Sequence, residues 1–132
     1  MAQISFQQGE DLIINLALLE AGIPLDITAA IDIRVQAYII KSNIKTKVFA
    51  YSKNPKSGYG VCRQKAVVGD EHIVEVLLTR SQTITFDAGV VSFAVIITMP
   101  GGGDFPDGLN TEYNFDNFGT VLEGCAKDEV IP

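Results

Sequence analysis

Apolar and polar residues alternate with a period of two through most of this chain, the signature of half-buried β-strands. Leu12, Ile14, Leu16 and Leu18 share one face, with Asn15 and Ala17 on the other. Ile31, Ile33, Val35, Ala37 and Ile39 alternate with Asp32, Arg34, Gln36 and Tyr38, the clearest strand pattern in the sequence. Val74, Val76 and Leu78 alternate about Glu75, and Val91, Phe93, Val95 and Ile97 about Ser92, Ala94 and Ile96. A helical period never lasts about twelve residues. Ile13, Ile40 and Ile96 add apolar residues to the second face and predict partial cover there by a neighbouring subunit.

Turn chemistry separates these runs. Glu20-Ala21-Gly22 reads as a turn, and Pro24 holds Ile23 extended. Asn54-Pro55-Lys56-Ser57-Gly58 is a loop after the Val48-Phe49-Ala50-Tyr51 strand, with the next strand starting near Tyr59. Gly69-Asp70 reads as a hairpin turn. Thr79 is placed as an N-cap for one helical turn before Gly89. Six to eight strands with turns between them predict an all-β antiparallel sandwich. The chain of 132 residues reads as one domain with its core at 4–99, a projecting loop and last strands at 100–124, and a mobile tail at 125–132. The loop begins with Gly101-Gly102-Gly103 and is rich in aromatics, with Tyr113, Phe115 and Phe118 following Phe105. Leu109 to Phe115 and Gly119 to Leu122 read as two closing strands.

Composition narrows the class. Hydrophobic residues at 47% and charged residues at 20% are those of a globular chain. No apolar run reaches the length of a membrane helix. The first residues have neither the basic nor the apolar region of a signal peptide, so the expectation is folding in a reducing cytosol. Cys62 and Cys125 lack a CxxC spacing, and His72 is the single histidine, which argues against a zinc site and for two packed thiols. The net charge of −6 is unevenly spread. Arg34, Lys41, Lys45, Lys47, Lys53, Lys56, Arg63 and Lys65 fall in a stretch where 33–69 holds no carboxylate. From Ser81 onward the chain is acidic, with Lys127 the one base. Such segregation can steer a partner, or the acidic end of another copy, onto the basic strands.

Chemistry is sparse. His72 sits beside Glu71 and Asp70 with no nucleophile motif around it, and no GxSxG, HExxH or phosphate-binding loop occurs. The expectation is therefore no enzyme, no catalytic residue and no cofactor. Asp104, Asp107, Asn110 and Glu112, with Asp116, are candidate oxygen ligands for calcium beside the tight bend Gly108 permits, although their spacing is not that of an EF-hand. The basic stretch with Tyr38, Phe49, Tyr51 and Tyr59 could suggest nucleic acid, but a sequence pI near 4.6 opposes phosphate binding.

Gly9-Glu10-Asp11, a strand, Gly22-Ile23-Pro24-Leu25-Asp26-Ile27-Thr28 and a second strand from Ala30-Ile31 resemble the N-terminal domain of phage baseplate upper proteins. The likeness continues through Val76-Leu77-Leu78-Thr79, Ser81-Gln82-Thr83 and Gly89, and covers about residues 6 to 99. It implies an immunoglobulin-like sandwich and a non-enzymatic virion protein that works by self-association and docking. The expected role is a small tail, baseplate or capsid-accessory adaptor. Its partners would be further copies of itself and other virion proteins, without membrane or nucleic acid, in particles assembled in the bacterial cytoplasm. Contacts are expected at Lys41, Lys45, Lys47 and Lys53 and at the loop aromatics Phe105, Tyr113, Phe115 and Phe118, since aromatics concentrate interface energy. The alternative expectation is a carbohydrate- or receptor-binding sandwich, calcium-assisted through 104–116.

Overall fold

A computed structural model describes residues 4–54 and 58–124. The fold is all-β. The strands are β1 (Ile4–Gln7), β2 (Leu12–Ala17), the short pair β3 (Leu19–Glu20) and β4 (Ile23–Pro24), β5 (Asp32–Lys41) and β6 (Ile44–Ser52). After them come β7 (Gly60–Gln64), β8 (Ile73–Leu78), the single turn α1 (Arg80–Thr83), β9 (Gly89–Met99) and β10 (Leu109–Leu122). The main sheet has the order β1-β10-β9-β5-β6-β7-β8-β2.

This sheet folds back on itself at one corner. β6 meets β7 only through Tyr51↔Gly60 and Ser52↔Val61, and in parallel. The corner divides the sheet into a five-stranded half, β1-β10-β9-β5-β6, and a three-stranded half, β7-β8-β2. Ile14, Leu16, Val74 and Val76 from the small half form one cluster with Ile33, Val35, Val95 and Ile97 from the large half. With β1 running parallel to β10 at the opposite edge, the curled sheet closes as a β-sandwich-like arrangement. Parallel contacts at the β6–β7 corner and the β1 edge are the departures from an antiparallel arrangement. Gly60 is demanded by the corner, because a Cβ there would collide with the Tyr51 ring.

Local sequence explains the boundaries. The β5–β6 hairpin turns at Ser42 and Asn43, both at positive φ (52° and 66°), as a two-residue turn matching the strand twist requires. The Gln82 side chain accepts the Thr79 N–H at 3.2 Å, so α1 starts where the threonine predicted it. β10 is one strand interrupted by a bulge between Phe115 and Gly119, not two strands. The bulge carries Asn117 at φ 53°, and the Asn117 N–H donates to the Ser92 hydroxyl at 2.8 Å.

The two sequence segments that carry the family likeness meet in space. Gly9 N–H donates to the Thr83 hydroxyl at 3.0 Å, which itself donates to the Glu10 carbonyl at 2.9 Å. Asp11 accepts the Arg80 N–H at 2.5 Å. Asp26 accepts both the N–H (2.8 Å) and the hydroxyl of Thr28 (2.5 Å), which pulls its carboxyl below the usual range. These hydrogen bonds clasp loops to one another, which is a scaffold role.

Candidate interaction face on the five-stranded sheet

The outward residues of the large half form a broad face. Its rows follow from the registers: Glu112, Ile96, Arg34 and Ser52 lie side by side, then Asn114, Ala94, Gln36 and Ala50. In the next row Ser92 is followed by Tyr38 and Lys47, with the bulge carrying Asp116 beside Ser92. Lys45 stands beside Ile40 below them. The floor is made of small residues and is nearly sealed, with Ala94 only 7% exposed and Ser92 2%.

Tyr38 organises the floor. Small side chains on β9 leave room for it to reach from β5 across to β10, where its hydroxyl donates to Asp116 at 2.6 Å. Burial, that hydrogen bond and the charges of Asp116 and Glu112 all raise its pKa well above the ordinary phenol value. The Lys45 ammonium lies 4.8 Å from the ring centroid on the other side. The result is a shallow depression of about 200 Å³ with Lys45 and Lys47 along one wall and Glu112 along the other. Among the described residues no ion pair joins those lysines to Glu112 or Asp116. A second depression of about 320 Å³ lies at the other end of the face, beside Asp32, Arg34 and Tyr59.

Of the expected contact residues, the structure brings Lys45 and Lys47 together and separates the rest. Lys41 closes the hairpin opposite Ile44. Lys53 lies beyond the far end of β6, about 25 Å along the strand, with its ammonium on the Ala30 carbonyl at 3.2 Å. The four lysines therefore do not make one patch.

The aromatic loop is corrected more sharply. Phe118 is buried in the core, edge-on to Phe93 and Phe115 at 6.1 and 5.8 Å. Tyr113 and Phe115 are half-buried and packed against that core, and the Tyr113 hydroxyl donates to Glu20 at 3.2 Å. Phe105 alone of the four is exposed, at 56%. The physical reason is visible in the sequence: Glu112-Tyr113-Asn114-Phe115-Asp116 alternates with a period of two, so its rings face inward on a strand.

The candidate calcium ligands are not gathered into one cluster. Among the described residues no group of three or more His, Cys, Asp or Glu side chains is placed to hold a metal ion. Asp104 and Asp107 lie in the β9–β10 loop, whereas Glu112 stands on the sheet face. Asn110 uses its oxygen to accept the Thr98 hydroxyl at 2.5 Å.

Cys62 is buried, its thiol donating to the Ile33 carbonyl at 3.4 Å, and burial pushes its pKa up to about 12. Cys125 and the tail lie outside the described residues. His72 contributes its carbonyl to the Leu18 N–H at 2.8 Å. No helix among the described residues is long and apolar enough to cross a membrane. Sequence reasoning missed Tyr38, Ala94 and Glu112 as parts of one surface. The signal available was the small-residue parity of Ser92 and Ala94 on the polar face of β9. Neither a protein-family model nor a curated protein sequence matches the chain.

Proposed function

We propose that this chain is a non-enzymatic structural protein of a phage virion, a small adaptor or accessory subunit that docks neighbouring virion proteins. The observation that carries the docking half is the outer face of the five-stranded sheet. There, Lys45 and Lys47 on one side and Glu112 and Asp116 on the other flank a floor of small residues, and among the described residues no ion pair joins the two sides. Flat faces of this kind are read by shape and charge, and they offer no enclosed site for a reaction. The virion half rests on the likeness of the two clasped turn segments to baseplate upper proteins. A sandwich-like arrangement suits it, because the rigid scaffold frees a whole sheet face for contacts. The glycan-binding alternative loses its main support, since three of the four rings expected to contact a sugar pack into or against the core.

Mass spectrometry of purified phage particles from the source culture tests this reading. The chain should be present in many copies per particle and should remain after washing in high salt. Its absence from intact particles would overturn the proposal.

A further inference from the structure

The wall charges of the outer face are arranged so that the face is complementary to itself. The basic wall, Lys45 and Lys47, lies on β6, and the acidic wall, Glu112 and Asp116, lies on β10. The two strands are separated by β9 and β5, so the walls stand about 14 Å apart. Lys47 shares its row with Tyr38 and Ser92, and Asp116 lies in the bulge beside Ser92. Arg34, which pairs within the chain with Asp32 at 3.2 Å and has further guanidinium donors, shares its row with Glu112.

We propose that the outer face of the five-stranded sheet pairs with the same face of a second copy, about a two-fold axis running along the strands between β9 and β5. This deepens the docking reading above and rests on it. Such an axis exchanges left and right across the sheet but keeps position along the strands. It sets the β6 of one copy over the β10 of the other, with Lys47 above Asp116 and Arg34 near Glu112, each contact occurring twice. An axis across the strands would instead lay basic β6 over basic β6 and acidic β10 over acidic β10. Charge thus selects one of the two face-to-face arrangements. Asp116 can serve both partners, because a carboxylate accepts more hydrogen bonds than the one Tyr38 donates.

The face is about four strands wide and about eight residues long, which puts the contact at the small end of specific interfaces. A single pair should therefore be weak, with dissociation in the range of about ten to several hundred micromolar. Many copies held in one particle would make such a contact effective.

Sedimentation of the whole chain from about 10 µM to about 1 mM tests the pairing. Two neutralised variants separate local complementarity from overall charge. Lys45→Gln/Lys47→Gln makes an already acidic chain more acidic, whereas Glu112→Gln/Asp116→Asn makes it less so. The proposal expects both to weaken dimerisation about tenfold. A chain that stays monomeric to the top of that range, or a second variant that dimerises more tightly than the parent, would overturn it. Mixing Lys45→Glu/Lys47→Glu with Glu112→Lys/Asp116→Lys, each checked for a native circular dichroism spectrum, should restore a heterodimer that neither forms alone. Failure of the mixture with both chains folded would refute the two-fold geometry. A monomeric parent still found in particles would refute the pairing alone, whereas a dimer absent from particles would refute the virion reading alone.

Discussion

The two outer faces of this sandwich use charge in opposite ways. On the three-stranded face Arg63 and Glu75 stand opposite each other on β7 and β8, and the Arg63 side chain donates to Glu75 at 3.0 Å. The row beside them is apolar, with Ile13, Leu77 and Val61 in register across all three strands. That face closes its charges within the chain. On the five-stranded face Arg34 pairs with Asp32 at 3.2 Å at one end, whereas Lys45, Lys47 and Glu112 line one depression without pairing with one another. The acidic Asp116 is tied to Tyr38, a neutral phenol, and not to a lysine. The difference is one of strand spacing. Neighbouring strands bring opposite charges within reach, whereas charges three strands apart stay available to another molecule.

The largest expected effect concerns what lies beneath the charged face. Phe118→Ala removes a ring wedged between Phe93 and Phe115 and should cost about 3–4 kcal/mol in urea unfolding. Phe105→Ala, at an exposed position, should stay within about 0.5 kcal/mol. Equal losses would mean that the loop and the inner surface of β10 are not distinct, and the comparison of faces would lose its rigid base.

A second test addresses the corner that holds the two faces apart. The Cys62 thiol, ordinarily near 9.0, is raised to about 12 by burial, and the sealed Tyr51 phenol beside it is raised as well. Both groups fold in their protonated form. Their contribution is complete below the unfolded values and is lost as pH rises toward the folded ones. Stability should therefore decline from about pH 9 upward, by about 1.4 kcal/mol per pH unit for the thiol alone. Cys62→Ala should remove the first part of that decline, between pH 9 and 10, in a series of urea midpoints against pH. An unchanged slope in the variant would show that the corner opens before the thiol ionises.

The smallest effect sharpens the comparison directly. Arg63→Ala breaks a half-exposed pair and should lower stability by about 0.5 kcal/mol. Lys47→Ala breaks no ion pair among the described residues and should leave the unfolding midpoint unchanged while weakening association. If Lys47→Ala destabilised the monomer as much as Arg63→Ala, the charges of the five-stranded face would be internal supports.

Much of the scaffold is legible from residue to residue. The alternation through Asp32–Lys41 and Gly89–Met99, the Thr79 cap and the Gly69 turn are short-range patterns, and each sits where the periodicity and turn chemistry put it. The inward direction of Tyr113 and Phe115 is legible too, in their alternation with Glu112 and Asn114. That of Phe118 is not, because the bulge at 116–118 breaks the period that would have revealed it.

By itself, the sequence determined that this protein is built of strands, where most of them turn, and that basic and acidic residues occupy different stretches. Tertiary structure decided which of those charges share a surface. Folding the sheet at Tyr51 and Gly60 sends Arg63 to one face and Lys45 and Lys47 to the other, although all belong to one basic stretch. It also brings Glu112 and Asp116, far along the chain, to the opposite wall of the lysine depression. Strand periodicity is a local property of neighbouring residues, whereas strand order comes from the long-range pairing that closes the core.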